Sequence, residues 1–140
     1  MKILKSTLLI MFVAVSLFVC NAQTIENQKT GDQLSKDVQV YYFHNTKRCA
    51  TCNAVENETK VALEMFFEDK MKAGTIDFTS LNLEEDEGKT MAETLHVSGQ
   101  TLLIVKGETK MNLTNEGFMN ARTNPTKFHE IIKTQIDKLL

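Results

Sequence analysis

The sequence predicts an α/β domain of order β-α-β-α-β-β-α, with a mixed central sheet and helices on both faces. Three observations predict it. Residues 38–43 and 101–105 are apolar runs rich in β-branched and aromatic side chains, the mark of buried strands. Residues 50–72 carry apolar positions at helical spacing. Strand-like and helix-like segments alternate along the chain, which favours a sheet covered by crossing helices.

The elements follow in order. Tyr41, Tyr42 and Phe43 are continuous and apolar, so the first strand is central. A short polar loop, residues 44–48, comes next. In the helix expected from about residue 50 to 72, Val55, Thr59, Ala62 and Phe66 share one stripe. Lys70 and Lys72 suit its last turn and Gly74 its stop. Residues 76–83 alternate apolar and polar, as a strand does. The acidic run 84–87 suits the start of a second helix, read as a solvated opening and not a metal site. Met91, Ala92 and Leu95 give that helix its apolar face. Lys106-Gly107-Glu108 turns the strand 101–105 back into a hairpin with 109–113. Residues 114–123 read as a loop. Asn124-Pro125 then caps and opens a final helix with the stripe Phe128, Ile131, Ile132, Ile136 and Leu139. The first crossovers are expected to be right-handed and to give parallel strands, the hairpin adding an antiparallel edge.

A chain of 140 residues has room for one domain. Its N-terminus reads as an export signal. Lys2 and Lys5 precede an apolar run over residues 8–20 that is short for a membrane span. The Cys20-Asn21-Ala22 end places small residues where signal peptidase reads, so residues 1–22 are expected to be removed before Gln23. The rival is a lipoprotein acylated at Cys20, the one reading that brings in a membrane. Residues 23–37 read as a polar, flexible leader and 38–140 as the domain, periplasmic or secreted. Removing Lys2 and Lys5 leaves 14 cations against 18 acids, a balance that argues against nucleic acid as a partner.

Of the three cysteines, only Cys49 and Cys52 then remain in the domain. They fall where the first strand gives way to the long helix. Unpaired N–H groups and about half a positive charge at a helix N-terminus stabilise a thiolate. Lys47 and Arg48 precede the pair and read either as cations that push the same way or as plain solvent-facing charges. Two intervening residues let Cys52 reach back to Cys49, so reversible disulfide formation is expected. Cys49 is the expected exposed nucleophile and Cys52 the buried resolving thiol. A structural disulfide over so short a loop would stabilise little. Zinc would need four ligands, and His44, His96 and His129 are not in ligand spacing. No cofactor is expected, and the partner class is a protein or small-molecule disulfide or thiol.

From Val38 to Leu140 the chain resembles the thioredoxin-like superfamily. The resemblance is carried by Val40-Tyr41-Tyr42-Phe43 before Cys49-Ala50-Thr51-Cys52, by residues 81–87, and by Val97-Ser98-Gly99-Gln100-Thr101-Leu102. The chain is also similar to small exported bacterial proteins of that superfamily. Some of these are labelled nitrophenyl compound nitroreductase subunits, although no flavin or nicotinamide fingerprint is present here. The resemblance implies a thioredoxin-like fold and thiol–disulfide oxidoreductase activity. Three departures stand out. Gln100 occupies the place of the family's cis-proline, and the cost of a non-proline cis bond predicts a trans bond there. Phe43 falls on the family's buried acid, and Arg48 on the tryptophan before the first cysteine. The same pair without that proline also suits a soft metal or a shared iron–sulfur cluster in an electron-transfer adaptor, which would require a dimer.

The remaining candidates are secondary. His44 reads either as a proton donor to Cys49 or as a solvated loop residue. Gln100 reads either as a hydrogen-bond partner for a bound backbone or as a plain polar residue. His96 and His129 read as helix-surface residues. The Asn57-Glu58-Thr59 and Asn112-Leu113-Thr114 acceptor patterns are expected to be idle, and the methionines to be core or incidental.

Overall fold

The computed structural model describes residues 37–140. The expected signal segment, Cys20 and the leader up to residue 36 lie outside the described residues. Four strands form one sheet: β1 (Val38–His44), β2 (Ile76–Asn82), β3 (Thr101–Lys106) and β4 (Thr109–Asn112), in the order β2-β1-β3-β4. The helices are α1 (Ala50–Lys72), α2 (Asp86–Leu95), α3 (Thr114–Asn120) and α4 (Pro125–Asp137).

Strand β1 is central, as its unbroken apolar run predicts. It pairs parallel with β2, Val38 opposite Ile76, and antiparallel with β3, Phe43 opposite Thr101. Alternate side chains build two cores. Val38, Val40 and Tyr42 join Leu102 and Ile104 beneath α1 and α4, through Val55, Leu63, Phe128, Ile132 and Ile136. Tyr41 and Phe43 join Leu81, Leu103 and Val105 beneath Ala92 and Leu95 of α2. Helices therefore cover both faces. Among the described residues no helix is long and apolar enough to cross a membrane.

Helix α1 keeps the predicted span, with Lys70 and Lys72 in its last turn and Gly74 beyond it at φ 73°. Its buried stripe ends on Phe67, whose backbone leaves helical geometry (φ −136°, ψ 20°), while Phe66 is only partly covered. Asn124 caps α4 as expected, its side chain accepting the Lys127 N–H at 3.2 Å.

Two expectations are corrected. The connection through α2 does not return a parallel strand, because β3 runs antiparallel to β1. Seven residues of β2 extend about 23 Å. Ten residues of α2 recover only about 15 Å, and His96 then reverses the chain in left-handed geometry at φ 60°. Residues 114–123 are not simply a loop, since α3 occupies 114–120. Thr, Asn and Gly are weak helix formers, so propensity hides this turn. Packing makes it: a Cβ on Gly117 would lie 3.1 Å from Val55 and 3.3 Å from Phe128.

Candidate active site

Cys49 is the N-cap of α1 and Cys52 lies in its first turn. The two are joined as a disulfide with Cα atoms 5.1 Å apart. Cys49 is exposed, while Cys52 retains 3% of its accessible surface. The Cys52 backbone N–H donates to Cys49 Sγ at 3.1 Å. That sulfur thus occupies the position of a capping oxygen at the positive end of a 23-residue helix. When the bond opens, the same N–H faces the thiolate. The pair is held from behind as well: the Tyr42 hydroxyl, fully buried, donates to the Cys52 carbonyl at 2.9 Å.

Gln100 follows α2 and immediately precedes β3. Because Thr101 pairs with Phe43 at the end of β1, Gln100 arrives beside the start of α1. Its Oε1 lies 3.4 Å from Cys52 Sγ, so its side chain meets the buried sulfur itself. No peptide bond among the described residues is cis, in agreement with the trans bond expected there.

The other expected site residues are distributed differently. Lys47 is exposed. Arg48 is not a solvent-facing charge. Its guanidinium bonds Glu56 Oε2, approaches Ser80 Oγ on β2 at 3.4 Å, and lies 6.0 Å from the centre of the Tyr42 ring. His44 is not a solvated loop residue. It ends β1, is buried, and places Nδ1 3.0 Å from the Asn45 carbonyl. Among the described residues no hydrogen bond joins it to either sulfur. His96 is exposed at the end of α2. His129 is not on the surface: it is buried between helices, with Nε2 2.7 Å from Glu58 Oε2. The spacing that turns Phe128 and Ile132 inward sets His129 on the flank facing α1.

Sequence reasoning misses Glu56. This carboxylate retains 7% of its surface, one turn beyond Cys52, and accepts Lys60 Nζ at 2.6 Å on the oxygen that Arg48 leaves free. Its signal was available: an acid four residues after Cys52 shares the stripe that Val55 and Thr59 turn inward. Burial pushes the Glu56 carboxyl up, but hydrogen bonds and charge from Lys60 and Arg48 outweigh it and hold the group below its ordinary range. Burial also raises the Tyr42 phenol, with Arg48 opposing and Glu56 adding to the rise. Among the described residues, no three His, Cys, Asp or Glu side chains gather as a metal-binding group.

The strand order, the antiparallel β3 and the Cys-x-x-Cys pair at the first helix define the class: a thioredoxin-like fold carrying a cysteine pair at disulfide distance. No family model and no curated protein matches the chain. Among solved structures it is similar to a malarial protein, with 21% identity and a TM-score of 0.39 over 53% of this chain and 74% of that one. It is also similar to the germline-specific thioredoxin Deadhead of Drosophila melanogaster, with 14% identity and a TM-score of 0.47 over 76% of this chain and 85% of that one. The thioredoxin-like description rests on topology and site, not on these likenesses.

Proposed function

We propose that this chain is an exported thiol–disulfide oxidoreductase acting on protein or small-molecule partners. The observation that carries the reading is the asymmetry of the pair: an exposed Cys49 whose sulfur accepts an N–H, backed by a buried Cys52. In the reducing direction, Cys49 thiolate attacks one sulfur of a partner disulfide. The partner S–S bond breaks, one partner thiolate leaves, and a mixed disulfide forms on Cys49. Cys52, deprotonated, then attacks Cys49 Sγ, closes the intramolecular bond and releases the second partner thiolate. Two electrons pass from the pair to the partner, and the reverse sequence oxidises a dithiol. Export is proposed from Lys2, Lys5 and the apolar run that follows them.

The test uses two variants. Cys49→Ser should abolish reduction of insulin, and Cys52→Ala should accumulate a mixed disulfide with the partner. Persistent exchange by Cys49→Ser would overturn the mechanism. A stoichiometric copper, zinc or iron–sulfur adduct in native mass spectrometry would point instead to an electron-transfer adaptor.

A further inference from the structure

We propose that Glu56 is a positioning residue that withholds the charge of Arg48 from the Cys49 sulfur, keeping the pair a weaker oxidant than its sequence suggests. The inference rests on the thiol–disulfide reading above and names how that site is regulated.

Arg48 is the residue before the nucleophile, and a free guanidinium there would favour the thiolate. It is not free. Three elements hold it: Glu56 on α1 takes one nitrogen, Ser80 on β2 approaches another, and the Tyr42 ring on β1 lies against its face. Glu56 is itself fixed, because Lys60 occupies its second oxygen and the surrounding core leaves it almost no exposure. A carboxylate paired on both oxygens stays ionised through neutral pH, so the clamp persists wherever exchange would run. A cation paired this closely exerts far less field at a third atom than an unpaired one, since the opposite charge cancels most of it. The ionisable groups around Arg48 are therefore Tyr42 on β1, Glu56 and Lys60 on α1 and, in the preceding loop, exposed Lys47. Without Glu56, the half-buried guanidinium would lack its counter-ion. On reduction a new anion would form on the next residue in the chain, the Cys49 thiolate. Stabilising that thiolate stabilises the dithiol form and makes the disulfide more oxidising.

A double-mutant cycle tests this on the reduced full domain, read by the pH dependence of iodoacetamide alkylation at Cys49 and by equilibration with glutathione. Glu56→Gln should lower the alkylation midpoint by about one pH unit. At a pH above both midpoints it should also shift the equilibrium about tenfold toward the dithiol, or about 30 mV for two electrons. Arg48→Met should cancel most of that shift in the Glu56→Gln background and move the midpoint less than a third as far in the wild-type background. Equal Arg48→Met effects in both backgrounds would overturn the proposal. If Glu56→Gln does not fold, Arg48→Met alone decides. A rise of about a third of a unit or more would show that Arg48 already acts on the sulfur and overturn the proposal; a smaller rise or none supports it. Alkylation reads the sulfur whether or not a partner exchanges. Absence of exchange in the wild type would therefore count against the proposed activity, in a separate measurement from the one that judges Glu56.

Discussion

At the residue scale, Tyr42 links the first core to the chemistry. Its ring fills space between β1 and α1, and its hydroxyl bonds the Cys52 carbonyl. Tyr42→Phe keeps the ring and deletes that bond. It should lower unfolding free energy by about 1 kcal/mol, read as a lower urea midpoint at unchanged slope. The cysteines themselves were legible in the sequence, because spacing and a place between strand and helix suffice to assign them. Arg48, Glu56 and Tyr42 were not legible as a group. Their meeting depends on which face of β1 turns toward α1 and on the register that sets Tyr42 opposite Ser80. Gln100 was legible only as a polar residue before β3, and its approach to the Cys52 sulfur needed the position of β3.

At the element scale, α2 is tied to β2 by a close approach that only glycine permits. A Cβ on Gly88 would lie 1.9 Å from the Asn82 carbonyl oxygen, a backbone atom that cannot swing aside. That carbonyl also accepts the Glu85 N–H at 3.0 Å. Gly88→Ala should therefore cost about 1–3 kcal/mol through forced displacement of the helix, measured by urea unfolding. Strands and long helices were readable from periodicity because each buries a regular stripe or face. The short α3 was not. Thr114 accepts the Leu102 N–H at 3.0 Å, and its own hydroxyl bonds Asn112 Oδ1 at 2.6 Å. Those partners lie in other segments, so no window containing only residues 114–120 reveals the turn.

At the scale of the whole molecule, the buried acid makes stability depend on pH. Glu56 titrates below its ordinary value of 4.5 when folded. Its contribution is therefore fully present above that value and is lost as pH falls through the lower folded pKa. Wild-type unfolding free energy should decline over that acid window. Glu56→Gln should be less stable at pH 7 by about 2 kcal/mol and show a flatter acid limb, measured by urea unfolding at a series of pH values. The antiparallel β3, not evident from the order of elements alone, carries Gln100 from a second part of the chain to the Cys52 sulfur. In the proposed cycle the exposed and hidden sulfurs divide the labour. A visitor would meet residue 49, yet its departure would be triggered by residue 52, whose side chain is buried. Recognition and release are thus separable traits, and a lineage could retarget the first while leaving the clockwork of the second intact.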